Sequence, residues 1–339
     1  MSLDAYCTKL LMPTLSVKAF SYKNVLSVAQ RITQKESSTA YRLSKFLFNR
    51  GTSAIFCLGY AYFRWLDDLV DALDATKEVI QAIVEKQKTL IGKLYSNNIR
   101  INVYELNIYE QMLYYLVKHD ITNDCYLHNY FMNMFHAIEF DSQRRYQVSP
   151  QTALDTYSNR LGGAYTRVLQ AFTSWHQTKP QADDMVYYSG FAAHKAHILR
   201  DFYTDISLGY YNISKESLAE YGWSIDQLPY VDLRNWVYRT VKETYLAFRY
   251  GLDALKKVQN QRLRFLGYAT CAQYIFVLEK IRRNDYHLRL SYKPSPFEKR
   301  RMFSWALKAA FHPNFEFNQI EEVFQIAANG SNKTEGDYD

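Results

Sequence analysis

Apolar residues recur at helical spacing along most of this 339-residue chain. Residues 36–49 and 51–74 each carry an apolar residue at every third or fourth position, and Gly51 marks a break between them. Proline is rare, which suits helices more than strands. Short polar or proline-containing connections separate the further helices that the pattern predicts, at 77–95, 104–118, 124–142, 150–174, 183–207, 214–221, 231–257, 261–284 and 297–309.

The central helices are apolar on more than one side. In residues 51–73 and 157–172 the apolar positions are not confined to one narrow stripe, which indicates burial on several sides. Together with the 48% hydrophobic content, this pattern predicts an all-α fold, a single domain with an internal layer of helices. Polar residues inside such helices are therefore the informative ones.

Composition and charge narrow the possible functions. The formal charge of +7 suits anionic partners, but the basic residues are spread out and no zinc-finger or RNP signature is present, so nucleic-acid binding is not expected. The N-terminus lacks a secretory signal, and no uncharged apolar stretch reaches the length of a membrane span, so we expect a cytoplasmic protein. The isolated cysteines favour neither a zinc site nor a disulfide scaffold; they are Cys7, Cys57, Cys125 and Cys271.

Four charged residues share one face of the predicted helix 51–74. Arg64, Asp67, Asp68 and Asp71 lie at offsets 0, 3, 4 and 7, so their side chains form one stripe. Carboxylates on one stripe repel each other unless a cation or water offsets their charge. A solvated acidic face is one explanation, but the apolar residues around the stripe favour a bound cation.

A second stripe lies in the predicted helix 183–207. His194, His197, Asp201 and Asp205 lie at offsets 0, 3, 7 and 11. Mg²⁺ prefers oxygen ligands and commonly bridges one or two carboxylates to substrate phosphates. A pair of aspartates four residues apart suits this role, and two such helices facing each other would hold several ions. A single pair occurs by chance, whereas two pairs in apolar helices indicate a metal site.

In order and spacing, these motifs resemble those of the squalene/phytoene synthase family of head-to-head prenyltransferases. Residues 60–71 resemble the family's aromatic-x-x-Arg-x-x-Asp-Asp-x-x-Asp segment, and residues 197–205 its Asn-Ile-Leu-Arg-Asp-x-x-x-Asp segment. Residues 157–163 are similar to its Tyr-x-x-x-Val-Ala-Gly segment. Two shorter elements, at 37–41 and 284–286, also agree, and the resemblance covers about residues 36 to 300.

The resemblance implies a class I terpenoid (isoprenoid) synthase fold, a single-domain all-α bundle with a central cavity. We expect an N-terminal segment at 1–35, a squalene/phytoene synthase-like catalytic domain at 36–310 and a C-terminal tail at 311–339. The small, polar and acidic end of that tail is predicted to be disordered.

Family roles follow for the charged residues. The aspartates Asp67, Asp71, Asp201 and Asp205 would coordinate Mg²⁺, with Mn²⁺ as the alternative ion, and Asp68 would lie behind them or contact a further ion. Arg64 and Arg200 would neutralise the oxygens of the diphosphate, because a diphosphate leaves only when its developing charge is offset.

Several uncharged residues also receive roles from the resemblance. Ser37, Ser38 and Tyr41 would donate hydrogen bonds to the diphosphate, although Ser38 also suits a helix N-cap. Tyr157 would lie near the reacting carbons and manage a cation or a proton; an ordinary core tyrosine is the alternative. The paired glycines Gly162 and Gly163 indicate a kink, a close approach to substrate or a contact between helices.

The chain departs from the family at two positions of the second stripe. His194 and His197 stand where the family usually carries Gln and Asn. Imidazole is a softer ligand that suits Mg²⁺ poorly and carries a proton near neutral pH. The open alternatives are altered metal occupancy, contact of a protonated histidine with diphosphate, and a general base that acts on a carbocation.

The leading hypothesis is an enzyme that ionises allylic diphosphates, farnesyl or geranylgeranyl diphosphate, and couples two of them head to head into a phytoene-, squalene- or dehydrosqualene-type product. A terpene cyclase or a prenyltransferase of another type on the same scaffold is the second hypothesis, and a non-catalytic binding or assembly relative is the third. The residues leave NADPH use open. A lipidic substrate and a positive net charge predict peripheral contact with a membrane.

Overall fold

The computed structural model describes residues 20–70, 76–96, 101–123, 127–174 and 186–312. These residues form α-helices and short 3-10 helices, and no strand lies among them, which confirms the all-α prediction. The α-helices are α1 Tyr22–Glu36, α2 Ser38–Leu47, α3 Arg50–Val70, α4 Lys77–Tyr95, α5 Ile108–Ile121, α6 His128–Arg144, α7 Gln151–Ser174, α8 Tyr187–Ser207, α9 Lys215–Tyr221, α10 Arg234–Lys257, α11 Gln261–Arg283 and α12 Pro296–Phe311.

The described helices group into two compact units, with the division between Arg144 and Arg145. Helices α1 to α6 form the first unit and helices α7 to α12 form the second. The domain boundaries expected at 35/36 and 310/311 stay a prediction. None of the described helices combines the length and the apolar content that a bilayer span requires.

Helix α3 is the centre of the first unit, where it packs against α1, α2, α5 and α6. Its apolar residues are buried on several sides, as the broad apolar pattern predicts; Leu58, Tyr62 and Leu66 are fully inaccessible. The helix begins at Arg50, and the Asn49 side chain accepts a hydrogen bond from the Thr52 N–H at 2.8 Å. The break between α2 and α3 therefore lies before Gly51, because the Asn49 side chain caps α3.

Helix α1 lies in the segment for which the sequence predicts no helix. Its contact with α3 uses only one small residue per turn, at Val25, Ala29 and Thr33. Thr33 Oγ1 donates to the Ala29 carbonyl at 2.8 Å and so satisfies its own hydroxyl inside the interface. A stripe this narrow gives a weak apolar signal, which is why the pattern does not reveal the helix.

Helix α8 is the centre of the second unit, where it packs against α7, α10 and α11. Glycines bring backbones together at two of these contacts. A Cβ atom on Gly162 of α7 would lie 2.4 Å from the Phe191 backbone nitrogen of α8, and one on Gly251 of α10 would lie 2.4 Å from the Ser189 nitrogen. Of the alternatives for Gly162, the structure thus shows a contact between helices.

Candidate active site

The first charged stripe lies on the exposed face of α3, in the first unit. Arg64 forms ion pairs with Asp67, at 3.5 Å, and with Asp68. The three side chains are 41%, 52% and 54% exposed, so solvent screens these pairs and each contributes little to stability. Asp71 lies outside the described residues. The structure therefore confirms that the three described residues share one face.

The predicted diphosphate-binding residues Ser37, Ser38 and Tyr41 lie at the start of α2, also in the first unit. Ser37 caps this helix, because its Oγ accepts from the Ala40 N–H at 3.3 Å. The cap is thus one residue earlier than the sequence suggests, and Ser38 is an exposed residue of the first turn. The Lys45 ammonium lies 5.4 Å from the centre of the Tyr41 ring. Their diphosphate-binding role stays a prediction.

Two tyrosines that the sequence did not single out lie beside this stripe. Tyr60, one turn before Arg64, lies near the Ser37 side chain, and burial raises the pKa of its phenol. Tyr109 of α5 stacks on Trp65 with ring centres 4.7 Å apart. Burial raises the pKa of Tyr109 as well, and the nearby Asp68 carboxylate adds to this. Tyr60 and Tyr109 thus lie close to the stripe on α3, beside α2 and α5.

The second stripe, on α8 in the second unit, centres on the Asp201 carboxylate. Arg200 holds it from one side through Nε to Oδ1 at 2.8 Å and Nη2 to Oδ2 at 2.6 Å. His197 Nε2 lies 2.7 Å from the same Oδ2, one turn earlier on the helix. Because a carboxylate only accepts, Nε2 must carry a proton and donate. Asp201 therefore has cationic or donor groups on both oxygens.

This environment changes the acidity of Asp201. Burial alone would raise the pKa of its carboxyl, but the hydrogen bonds and charges of Arg200 and His197 outweigh burial and hold the pKa well below its usual range. The carboxylate is therefore ionised throughout the physiological pH range. It presents a fixed negative charge to any ligand that approaches α8.

Asp205 lies one turn beyond Asp201 and is oriented by the segment that follows the helix. Asn212 Nδ2 donates to Asp205 Oδ2 at 2.7 Å, and the Tyr210 N–H donates to the Asp205 backbone carbonyl at 2.8 Å. The hydrogen bonds to Asp201 raise the pKa of the Arg200 guanidinium, and the Asp205 charge adds to this shift. Asn212 is a contact that the sequence did not reveal, because it depends on the turn after α8.

His194 is held by a side chain of α7. Its Nδ1 lies 3.0 Å from Ser158 Oγ, and the same hydroxyl donates to the Leu154 carbonyl at 2.9 Å. Since Ser158 has only one hydroxyl proton, Nδ1 of His194 must be the donor, which makes Nε2 the acceptor nitrogen of the neutral imidazole. The Tyr157 ring meets the imidazole edge-on with centres 4.9 Å apart. The structure therefore brings two of the predicted site residues, Tyr157 and His194, into contact.

Tyr274 of α11 is a further residue of this cluster, and the sequence did not single it out. Its ring stacks on His197 with centres 6.1 Å apart, and the Arg200 guanidinium lies 5.9 Å from the ring centre. Burial raises the pKa of its phenol, while the nearby Arg200 guanidinium opposes the shift. In the sequence, the available indication of Tyr274 is a polar ring within an otherwise apolar helix. Tyr274 fixes the orientation of both residues that hold Asp201.

The donor chemistry of the two stripes suits Mg²⁺ or Mn²⁺. Asp67, Asp201 and Asp205 offer carboxylate oxygens, which these ions prefer. Within the described ranges, no group of three His, Cys, Asp or Glu side chains is close enough together to hold an ion unaided. Mg²⁺ commonly uses one or two carboxylates and takes its other ligands from phosphate and water. Each stripe, taken by itself, therefore fits an ion that binds together with a phosphate-bearing ligand.

A comparison with protein families identifies one match. The profile of the squalene/phytoene synthase family matches residues 33–301, a range that contains every predicted site residue. Among curated protein sequences, none matches this chain.

Solved structures of low sequence identity share the fold. The squalene synthase HpnC from Alicyclobacillus acidocaldarius is 15% identical, with a TM-score of 0.61 over 79% of this chain and 97% of that one. A dehydrosqualene synthase in complex with a ligand is 14% identical, with a TM-score of 0.63 over 91% and 98%. A ligand complex of TcSQS is 13% identical, with a TM-score of 0.65 over 91% and 99%. At this identity, the structures show the fold alone.

Proposed function

This chain belongs to the squalene/phytoene synthase family, and we propose that it ionises allylic prenyl diphosphates with Mg²⁺ and couples two of them head to head. The family profile and the fold together confirm the resemblance that the motifs indicate. Membership implies an enzyme of the prenyltransferase type. The proposed substrates are farnesyl or geranylgeranyl diphosphate, and the proposed product is a phytoene-, squalene- or dehydrosqualene-type hydrocarbon.

The observation that carries this proposal is the arrangement around Asp201. A guanidinium fork and a carboxylate lie side by side on one turn of α8, and Arg64 with Asp67 and Asp68 forms a similar set on α3. Carboxylates supply metal ligands, and planar guanidinium groups match the oxygens of a diphosphate. Both are required where a diphosphate leaves, because that step develops negative charge on its oxygens.

Each described residue has a distinct part in the proposed reaction. In the first unit, Arg64 would bind diphosphate oxygens and Asp67 would hold an ion; in the second unit, Arg200 would bind diphosphate oxygens, and Asp201 and Asp205 would hold an ion. When bound, Mg²⁺ neutralises the charge of the leaving diphosphate. On the side of the allylic carbons, the Tyr157 ring offers a π face that can stabilise a cation, and its edge-to-face contact with His194 fixes the ring orientation.

The hydrogen bond between His194 and Ser158 is compatible with a second candidate function. With Nδ1 committed to Ser158, Nε2 of the neutral imidazole is the nitrogen that accepts a proton. A base beside Tyr157 suits an enzyme that ends its reaction by removing a proton from a carbocation. A terpene cyclase or a prenyltransferase that does not couple head to head would use it in this way, as would a coupling enzyme that forms a phytoene- or dehydrosqualene-type product by loss of a proton.

Product mass separates head-to-head coupling from cyclisation, and a diphosphate retained on the product identifies a prenyltransferase of another type. The purified full-length protein is incubated with Mg²⁺ and with farnesyl or geranylgeranyl diphosphate, with and without NADPH, and the hydrocarbon is identified by mass spectrometry. Head-to-head coupling yields a product with twice the carbon number of the substrate. A product with the carbon number of one substrate would reject coupling and support a terpene cyclase, whereas a larger product that retains a diphosphate would support a prenyltransferase of another type.

The variant His194→Gln restores the residue type usual in the family and tests the proposed role of the imidazole. In the coupling enzyme, we expect this variant to keep the product mass of the wild type. In a cyclase that uses His194 as its base, the variant would instead release a different mixture of products. Ser158→Ala is the companion variant to His194→Gln, because it removes the hydroxyl that contacts His194 Nδ1 and leaves the imidazole in place.

A further inference from the structure

A pocket of about 350 Å³ opens in the second unit, between helices α7, α8, α9 and α10. Small-molecule sites commonly enclose about 300–1,000 Å³. The pocket lies against the side of α8 that carries Phe191, Lys195 and Ile198. Consecutive residues of a helix point about 100° apart, so this side is about a quarter turn away from the stripe with His194 and Asp201. The pocket is therefore separate from the diphosphate-binding face that we propose.

The lining of the pocket is acidic. Four carboxylates and two cations contribute to it, which gives a net formal charge of −2; they are Asp155, Glu216, Glu220, Glu243, Lys195 and Arg239. Both cations are already paired, Lys195 with Asp155 at 2.6 Å and Arg239 with Glu220. Within the described residues, Glu243 of α10 forms no hydrogen bond or ion pair. The pocket thus repels phosphates and offers a carboxylate to a positively charged ligand.

A buried amide adds an unsatisfied acceptor to the same pocket. Asn212 lines it and is only 9% exposed. Its Nδ2 donates to Asp205, whereas its Oδ1 is buried and has no hydrogen-bond partner. A buried carbonyl oxygen without a donor is unfavourable, and native structures usually supply one from protein, water or ligand. A ligand with N–H groups would satisfy this oxygen, either by donating to it directly or through a bridging water.

The remaining wall is apolar and aromatic. Trp236 of α10 and Ile198 of α8 are buried there, together with Leu154. The Lys195 ammonium lies 5.5 Å from the centre of the Phe191 ring, so a cation is already placed over an aromatic face at this wall. Carboxylates, an aromatic wall and a carbonyl acceptor together match an ammonium group that is attached to an apolar chain.

We propose that this pocket is a binding site for a small organic cation, a primary ammonium on a short apolar chain. The site is independent of the proposed prenyl diphosphate chemistry, since its ligand has the opposite charge. It is joined to that chemistry by a single side chain, the Asn212 amide, which contacts Asp205 on one side and lines the pocket on the other.

The test is isothermal titration calorimetry of the full-length protein with hexylammonium as the probe. Hexanol and hexanoate are the matched neutral and anionic probes of equal chain length. We expect saturable binding of hexylammonium to one site, with affinity at least about tenfold higher than for the other two probes. Equal affinity for hexanol, or an absence of saturable binding, would overturn the proposal.

Single-residue variants test whether hexylammonium binds in this pocket. Glu243→Gln removes the unpaired carboxylate and should weaken hexylammonium binding about tenfold, and Thr240→Phe should abolish it by filling the pocket. Asp226→Asn changes an exposed carboxylate of the same unit outside the lining and should leave the affinity unchanged. Asp201→Asn should also leave it unchanged. If Asp201→Asn abolishes binding while Thr240→Phe does not, the probe binds the diphosphate face and the proposal is wrong.

Discussion

The guanidinium of Arg200 forms a two-point ion pair with the carboxylate of its neighbour Asp201, through contacts of 2.8 and 2.6 Å. Arg64 is also paired with aspartates of its own helix, through one contact each to Asp67 and Asp68 of α3. In each motif, a residue that we propose to bind diphosphate thus neutralises a residue that we propose to bind metal. We expect the partners to exchange when metal and diphosphate bind, because the incoming charges then match both groups better.

The ion pairs of Asp201 predict how stability depends on pH. The pKa of Asp201 in the folded protein lies below its ordinary value of 3.8. Its contribution to the free energy of unfolding is therefore fully present above about pH 5 and is lost as the pH falls below 3.8 towards the folded-state pKa. The Asp201→Asn variant lacks this contribution, so the stability difference between wild type and variant should narrow in acid.

Urea unfolding followed by circular dichroism measures this difference at neutral pH and at about pH 3. Asp226→Asn, in an exposed turn of the same unit, is the control for the general effect of removing one carboxylate. A difference between wild type and Asp201→Asn that stays constant down to the lower pH would contradict the pKa assignment.

Because α7 and α8 pack closely at Gly162, we expect a single methyl group added there to lower the free energy of unfolding. In Gly162→Ala the new Cβ would meet the backbone of Phe191 at 2.4 Å, and since backbone cannot move aside easily we expect a loss of about 1–3 kcal/mol in the free energy of unfolding. Gly92→Ala is the matched control, because Gly92 is an exposed helical residue with nothing within 4 Å of the new Cβ. There we expect a gain of up to about 1 kcal/mol. Equal effects in urea unfolding would refute the assignment of Gly162 to a tight helix contact.

The metal chemistry predicts that ion binding depends on diphosphate. Within the described ranges, the protein gathers no three-ligand group, so Mn²⁺ alone should bind weakly, while inorganic pyrophosphate should raise the affinity at least about tenfold by supplying ligands. Electron paramagnetic resonance of free Mn²⁺ measures both. Asp201→Asn should reduce the enhancement. Tight binding without pyrophosphate would show that the protein provides a complete site.

The sequence predicts those features that depend on residues near each other in the chain. Helix α4 has the predicted bounds, 77–95, because its apolar stripe and its N-cap Thr76 are local signals. The stripe of His197, Asp201 and Asp205 follows directly from helical periodicity. Family motifs add the fold, which the family profile and the solved structures confirm.

Other features depend on contacts between helices, and the pattern does not contain them. Tyr274 reaches His197 and Arg200 from α11, and Ser158 reaches His194 from α7. Nothing in their spacing from α8 along the chain predicts these contacts. The predicted start of α5 is also off by a few residues. The sequence pattern places it at 104, whereas a capping box of Asn107 and Glu110 starts the helix at Ile108.

The central claim, that the carboxylates of these stripes promote loss of diphosphate, is tested most directly by the rate of diphosphate release from farnesyl or geranylgeranyl diphosphate in the presence of Mg²⁺. We predict release by the wild type and by Asp226→Asn. In the folded variants Asp67→Asn and Asp201→Asn, release should fall by about a hundredfold or more, since each loses a carboxylate that we propose holds the Mg²⁺ that offsets the developing charge. Undiminished release in both variants, or none in the wild type, would contradict the account.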